Sequence, residues 1–270
     1  MALLQIAEVF GHDTAIPLSK SNRTKPWCPF LGSACTKQSR TKPLGICSYS
    51  DGKLATVVCP SRFREDGRIF ADAGRAAFGA GKRIRAYPEF RLLELPDHRR
   101  KIGKIDYIVA VLNEDNEPTD FAALEVQAVY ISGDSTRLPF DMYLEAGTLT
   151  DKGRRRPDFR SSAQKRLIPQ LSLKVPVFRR WGKRFFVAVD AAFFAEMPKM
   201  PVVAEDNAEI TWLVYPFLRG KRGFAMQNPT LHHTLWDDVL TSLREGKPPT
   251  REQLLTDLST AKRVDKIFET

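Results

Sequence analysis

Two apolar runs separated by a short polar turn constrain the fold of this 270-residue chain more than any other feature. Residues 104–112 read KIDYIVAVL and residues 121–131 read FAALEVQAVYI, and the eight residues between them are mostly polar. Apolar runs on both sides of a turn predict an antiparallel β-hairpin. The chain is therefore expected to build a sheet around this hairpin.

The hairpin is expected to bring acidic side chains from both of its strands to one patch of the sheet. A turn centred near residues 116–117 predicts that Asp106 lies opposite Gln127 and that Ile108 lies opposite Glu125. Side chains on a strand alternate between faces with period two, so Glu125 and Gln127 share a face. We therefore expect Asp106, Glu125 and Gln127 to converge.

Glu125 occupies a costly position because the strand around it is apolar on both faces. A buried carboxylate is unfavourable unless a charged group compensates it. Two carboxylates and a backbone carbonyl, completed by waters and a substrate phosphate, form a common Mg²⁺ site. The residues alone leave a second explanation open, in which Glu125 pairs with one of the many arginines.

The four cysteines of the chain all lie within 32 consecutive residues. They are Cys28, Cys35, Cys47 and Cys59. Clustered cysteines in an intracellular protein more often bind a metal than form disulfides, and four thiolates suit zinc or a single iron. The spacings lack the CxxC pairs of a zinc ribbon, so four unconnected free cysteines remain the alternative. A closed four-sulfur site would organise a local loop and leave no position for a substrate.

The positive charge of the chain is concentrated in one segment. Residues 152–184 contain twelve Lys and Arg residues and one acid, Asp158, whereas the whole chain carries a net charge of +10. Such a segment favours an anionic partner such as nucleic acid or an acidic membrane. A solvated surface loop is the alternative explanation.

The pattern of elements predicts a mixed α+β fold, with a central mixed sheet flanked by helices. Residues 1–64 are expected to form a cysteine-rich metal module with little periodicity, and residues 65–270 a main domain that contains the basic segment 152–184. Strands are predicted at 83–95, 105–112, 121–131, 185–189 and 210–217, and helices at 70–78, 160–171, 234–244 and 251–268. Neither an export signal nor a 20-residue apolar run is evident, so we expect a cytoplasmic protein.

Asp106, the hairpin turn and Glu125-Val126-Gln127 together resemble the core of the PD-(D/E)xK nucleases, with Gln in the position of the usual Lys. When the four cysteines, residues 59–63 (CPSRF) and residues 125–133 (EVQAVYISG) are added, the chain resembles the NotI family of type II restriction endonucleases. The resemblance is firmest over residues 25–135.

The resemblance implies a fold, an activity and a set of roles for these residues. Cys28, Cys35, Cys47 and Cys59 would hold a structural iron, with zinc as the other possibility. Asp106 and Glu125, assisted by the carbonyl of Val126, would bind the catalytic Mg²⁺, and Gln127 would orient the attacking water. Glu89 and Glu94 are weaker candidates for a second metal site. The enzyme would act as a homodimer on a GC-rich palindrome, within a bacterial restriction-modification system.

Double-stranded DNA is the partner that the resemblance and the basic segment imply together. The expected DNA-binding residues are Arg154, Arg155, Arg156, Arg160, Lys165 and Arg166. Two other functions stay open at this point. The chain would otherwise be a metal-containing DNA-binding protein without enzymatic activity, or a PD-(D/E)xK nuclease of DNA repair or of mobile elements.

Overall fold

The predicted hairpin lies within a six-stranded sheet in the computed structural model, which describes residues 4–39, 42–94, 101–149, 153–244 and 249–261. The strands, in chain order, are β1 Gln5–Val9, β2 His12–Asp13, β3 Trp27–Cys28, β4 Ser33–Ala34, β5 Gln38–Ser39, β6 Lys42–Pro43, β7 Ile46–Ser50, β8 Ala55–Val57, β9 Ile84–Glu94, β10 Lys101–Leu112, β11 Pro118–Gln127, β12 Ile131–Gly133, β13 Arg155–Pro157, β14 Phe185–Asp190, β15 Ile210–Tyr215, β16 Phe217–Gly220, β17 Gly223–Met226 and β18 Thr230–Thr234.

The helices lie between these strands and at the end of the described chain. The α-helices are α1 Lys20–Thr24, α2 Arg68–Phe78, α3 Arg137–Ala146, α4 Phe159–Ser162, α5 Ile168–Arg180, α6 Ala191–Ala195, α7 Trp236–Arg244 and α8 Arg251–Ser259. Two 3₁₀ segments, Pro60–Gly67 and Glu205–Asn207, and one π-helical turn, Ala163–Leu167, complete the helical part. Within the described ranges, no helix is long and apolar enough to cross a membrane.

The central sheet is mixed, with the strand order β18-β15-β14-β11-β10-β9. β9 pairs antiparallel with β10, and β10 with β11; β11 runs parallel to β14, and β14 to β15; β18 returns antiparallel to β15. β14 and β15 are buried throughout, as the continuous apolar run in β14 requires, and β11 is buried over most of its second half. This mixed sheet, flanked by helices, confirms the predicted mixed α+β class.

Helices cover both faces of the central sheet. The face that carries Ala123 packs against α5 through Leu171 and Val175, and against α7. The opposite face, which carries Leu124, packs against α2 and the Pro60–Gly67 segment. β11 is therefore apolar on both faces, so the structure buries Glu125 as its sequence neighbours predicted.

Most of the predicted elements are present with shifted ends. The helix at 70–78 and the strands at 83–95, 105–112 and 185–189 are confirmed by α2, β9, β10 and β14. The strand at 210–217 ends at Tyr215 because Pro216 has no N–H to donate. The helix at 160–171 continues through the π-turn to Arg180. The predicted strand 121–131 ends at Gln127, and part of the predicted helix 251–268 lies outside the described residues.

The register predicted for the hairpin is wrong by two residues. Ile108 pairs with Ala123 and Tyr107 with Leu124. Ile108 therefore does not lie opposite Glu125, and the same register brings Asp106 level with Glu125 rather than with Gln127.

The turn explains this shift because it closes earlier in the chain than expected. The Asn113 N–H donates to the Glu117 carbonyl at 3.0 Å, and Asn116 takes a left-handed conformation with φ of +65°. Asn tolerates this conformation better than most residues. The turn thus spans residues 113–117, and the ladder has an irregularity at Leu112.

The N-terminal part contains a four-stranded sheet that the sequence analysis missed, in the order β2-β1-β7-β8. It joins the central sheet through Val57, whose N–H donates to Asp190 Oδ2 at 3.2 Å and whose carbonyl accepts from Val129 at 2.9 Å. The Pro60–Gly67 segment crosses the predicted domain boundary at residues 64 and 65. The N-terminal sheet and the Pro60–Gly67 segment are thus packed against the main sheet.

A buried ion pair strengthens this junction. Arg62 is 1% exposed, and its Nε donates to the Glu8 carboxylate of β1 at 3.0 Å. Its other nitrogens donate to the carbonyl of Phe224 and to Glu65. A buried charge that loses its partner is strongly destabilising.

We expect Arg62→Ala to lower the free energy of unfolding by about 3–5 kcal/mol, because Glu8 would stay buried without its partner. The matched control is Arg75→Ala, which removes an exposed pair with Asp72 and is expected to cost less than about 1 kcal/mol. Urea denaturation measures both values. A similar small loss in the two variants would contradict a structural role for the buried pair.

Candidate active site

Asp106 and Glu125 lie side by side where the ladder between β10 and β11 ends. The last pair of that ladder is Tyr107 with Leu124, so the backbone groups beyond it are open to side chains. The Asp106 N–H donates to Glu125 Oε1 at 3.2 Å, and the Val126 N–H donates to Asp106 Oδ2 at 3.0 Å. Each carboxylate is therefore held by the backbone of the opposite strand.

The two carboxylates keep one oxygen each for other partners. Asp106 Oδ1 and Glu125 Oε2 accept no hydrogen bond from any described residue. Asp106 is half-buried and faces a cavity, whereas Glu125 is 2% exposed. Burial raises the pKa of Asp106, and burial together with the Asp106 charge raises that of Glu125 to about 7. The site is thus an acidic pair that needs a cation.

Lys174 provides a positive charge at this site that the sequence analysis did not single out. Its ammonium, on α5, lies 2.7 Å from Glu125 Oε1 and is almost fully buried. The helix positions around it, Leu171, Val175 and Phe178, are all in the core. A single Lys within the apolar face of a helix is the sequence signal for a buried cation, although Lys174 also falls within the basic segment 152–184. The expected arginine partner of Glu125 is thus a lysine.

Gln127 and Val126 lie close to the acidic pair, as expected from the motif. Both line the cavity that Asp106 faces. The Gln127 side-chain amide donates to the Ala128 carbonyl at 2.6 Å. Gln127 is therefore held against its own backbone, and it brings no positive charge to the site.

Glu89 lies next to Asp106 on the outer strand β9. Ile105 pairs with Phe90 and Tyr107 with Pro88, so Glu89 lies opposite Asp106. Glu89 has a left-handed φ of +61°. Its carboxylate is exposed and lies 2.6 Å from the Lys104 ammonium. The side chain of Glu94 lies outside the described residues. In the part of the chain that the structure describes, no three His, Cys, Asp or Glu side chains are arranged to hold a metal.

A cavity of about 980 Å³ lies between the N-terminal part and this edge of the central sheet. Its polar lining includes side chains from both parts of the chain. They include Lys37, Ser61, Arg64, Glu89, Asp106, Tyr107, Gln127, Tyr130, Arg166 and Gln170. Asp106 therefore opens into a space whose lining also includes cationic side chains.

The predicted DNA-binding residues differ in their exposure. Arg154, Arg156, Arg160 and Lys165 are exposed, and Arg166 lies at 3.5 Å from the Tyr130 ring centroid on the cavity wall. Arg155 is 5% exposed, and its guanidinium donates to the carbonyls of Asp134 and Ser135. The structure thus corrects the expectation for Arg155, because its guanidinium is engaged inside the protein.

The four cysteines are free thiols. Cys28 lies in β3 and Cys35 directly follows β4, and the Cys59 N–H donates to the Cys47 carbonyl at 3.3 Å. Burial raises the pKa of Cys47 and of Cys35, and the charge of Cys59 raises both further. The thiols therefore interact electrostatically, although the described residues do not form a metal-ligand geometry.

The Lys37 ammonium lies close to these thiols. It donates to the carbonyls of Ile46 and Val58 at 3.0 and 2.8 Å. Burial lowers its pKa, and the nearby charges of Cys59, Cys47 and Cys35 oppose that effect. The cysteine region thus contains a positive charge of its own.

Comparison with known protein families gives one match. The family described as restriction endonuclease NotI matches residues 8–227, which include the acidic pair, Lys174 and all four cysteines. No curated protein matches the chain. Because the match extends over most of the 270 residues, the chain belongs to the NotI restriction endonuclease family.

Proposed function

We propose that this protein is a Mg²⁺-dependent type II endonuclease that hydrolyses phosphodiester bonds at specific sites in double-stranded DNA. The observation that carries the proposal is the acidic pair Asp106 and Glu125, held by reciprocal backbone hydrogen bonds, with Asp106 at the wall of a cavity. Family membership supports the reaction class, and the pair supplies residues that suit it.

The oxygen donors of the pair fit Mg²⁺. Asp106 Oδ1 and Glu125 Oε2 accept no hydrogen bond from a described residue, and Val126, whose carbonyl is the third expected ligand, directly follows Glu125 in sequence. Mg²⁺ prefers oxygen ligands, commonly one or two carboxylates with waters and substrate phosphate. Bound there, the ion would polarise a phosphoryl oxygen and lower the pKa of a bound water.

The chain's own groups then have defined tasks. Asp106 and Glu125 hold the cation, and their backbone hydrogen bonds fix the carboxylates before substrate arrives. Gln127 would orient the attacking water by a hydrogen bond. Hydrolysis joins a water oxygen to phosphorus and breaks the bond to the leaving oxygen, which ends with one of the water protons.

DNA binding is assigned to the exposed cations of the basic segment. Arg154, Arg156, Arg160, Lys165 and Arg166 present charges that release counterions when they contact phosphates. Arg155 is left out of this set and supports the loop that carries its neighbours.

The remaining features of the proposal follow from the family resemblance. A two-fold DNA site matches a two-fold protein, so we propose a homodimer that cuts a GC-rich palindrome. The biological setting would be a restriction-modification system in the bacterial cytoplasm, where a partner methyltransferase protects the host DNA.

We also propose that Cys28, Cys35, Cys47 and Cys59 bind a structural iron, for which zinc is the alternative. The donor chemistry of four thiols suits either ion. The described arrangement lacks metal-ligand geometry, so binding would require the four thiols to rearrange. Elemental analysis of the purified protein distinguishes iron, zinc and no metal, and the last result would contradict this part of the proposal.

We expect Asp106→Asn and Glu125→Gln each to reduce Mg²⁺-dependent cleavage of a large plasmid at least about 100-fold, because each removes a charge that acts on the metal. The matched control is Glu117→Gln, an exposed acid in the turn of the same hairpin, which should cut normally. Sequencing of the fragment ends identifies the recognition site.

Three results of this experiment would contradict the proposal. Undiminished cleavage by the Asp106→Asn variant would remove the pair from the active site. Salt-sensitive binding by the wild type without cleavage in Mg²⁺ would favour a DNA-binding protein, and irregular nicks would favour a repair or mobile-element nuclease.

The raised pKa of Glu125 predicts a pH-dependent stability in EDTA. A carboxyl with a usual pKa of 4.5 that titrates near 7 in the folded chain stabilises the fold at low pH and loses that contribution as pH rises. We expect the unfolding free energy of the wild type, relative to Glu125→Gln, to fall between pH 4.5 and 7.5 by up to about 1.4 kcal/mol per pH unit.

Mg²⁺ should reverse this loss. At pH 8 we expect added Mg²⁺ to stabilise the wild type by mass action and to leave Glu125→Gln almost unchanged. Thermal unfolding at a series of pH values measures both effects. Parallel stability curves for the two proteins would show that Glu125 does not carry the shifted titration.

A further inference from the structure

We propose that Arg64 binds the scissile phosphate and supplies the positive charge that Gln127 does not bring to the motif. This inference rests on the proposed nuclease function and adds a residue to its site. Arg64 lines the same cavity as Asp106 and Gln127. It comes from the Pro60–Gly67 segment, on the N-terminal side of that cavity.

The local helix geometry directs Arg64 into the cavity. In a 3₁₀-helix the side chains at i and i+3 lie over one another. Ser61 and Arg64 have this spacing, and both line the cavity. Arg62 and Phe63, between them, are 1% and 0% exposed. The segment therefore buries one face and presents the other to the cavity that Asp106 lines.

The two buried neighbours hold the backbone of Arg64 in place. Arg62 makes the ion pair with Glu8, and the Phe63 ring packs edge-on against Tyr215 and Phe217 at 6.3 and 5.4 Å between centroids. A catalytic side chain is effective when its support is rigid. Both supporting residues directly precede Arg64 in sequence.

Arg64 also has a hydrogen-bond donor without an acceptor. Its Nε is buried, and no described residue accepts from it. The guanidinium contacts the Tyr107 hydroxyl, and it forms no ion pair with a described carboxylate. A buried donor of a charged group without a partner is costly, and such donors in native proteins commonly await a ligand.

The other cations of the cavity are already engaged by the protein. Lys37 donates to two backbone carbonyls, and Arg166 stacks on Tyr130. Lys174 is paired with Glu125. An arginine matches the planar geometry of a phosphate better than a lysine does. Arg64 is therefore the cation best placed to take a phosphate oxygen beside Asp106.

The experiment compares Arg64→Ala, Arg64→Lys and the wild type in two measurements. The control variant is Arg75→Ala, an exposed arginine on the following helix. In EDTA, the slope of log affinity for a cognate duplex against log salt should fall by about 0.9 in Arg64→Ala, as expected for one lost phosphate contact. In Mg²⁺, single-turnover cleavage should fall about 100-fold.

Chemical rescue separates a direct role of Arg64 from a structural one. Guanidinium ion at millimolar concentration should restore part of the cleavage by Arg64→Ala and should not affect Arg75→Ala. If Arg64→Ala does not fold, Arg64→Lys is compared with the wild type in the same two measurements, and we expect it to cleave at a rate between those of Arg64→Ala and the wild type.

Wild-type rates and an unchanged salt slope in Arg64→Ala would overturn the role of Arg64 while leaving the nuclease intact. A slow Arg64→Ala that guanidinium does not rescue, with an unchanged salt slope, would also overturn it. A wild type that cuts no DNA in Mg²⁺ would overturn the proposed function itself, and the inference with it.

Discussion

The structure depends on holding two like charges side by side at the end of a β-ladder. Neighbouring carboxylates repel each other, and burial adds to the cost of keeping Glu125 ionised. The fold offsets this cost with local groups. The pairing of β10 and β11 stops before Asp106, each carboxylate takes a backbone N–H of the other strand, and the Lys174 ammonium neutralises Glu125 from the neighbouring helix. Disorder in any of these elements would allow the two carboxylates to move apart.

The N-terminal part of the chain forms the second wall of the same cavity. Its four-stranded sheet joins the central sheet through Val57, and the Arg62–Glu8 pair joins the Pro60–Gly67 segment to β1. The segment begins directly after Cys59, so the cysteine region and the cavity are adjacent along the chain. A metal bound by the cysteines would therefore affect the site indirectly. It would fix the point at which the Pro60–Gly67 segment begins, and that segment carries Arg64.

Much of the architecture and the central pair could be predicted from the sequence because hydrophobic periodicity and the cost of a buried Glu125 are local signals. The hairpin register could not be predicted because it depends on the turn, where Asn113 and the left-handed Asn116 place the centre of the loop one residue earlier and so shift the strand pairing by two. Lys174 and Arg64 were missed because their roles depend on packing between distant segments. Arg155 is the opposite case, a residue that was expected to contact DNA and is engaged by the protein. The run of three arginines does not show that the Arg155 guanidinium donates to the carbonyls of Asp134 and Ser135.

The most direct test of the account is the position of a divalent cation in crystals of the protein soaked with Mn²⁺, located by its anomalous scattering. Asp106 Oδ1 and Glu125 Oε2 are the free oxygens of the pair. The account predicts a single peak in contact with both side chains, and no peak there in the Asp106→Asn protein. An active enzyme whose Mn²⁺ binds away from both carboxylates would contradict it.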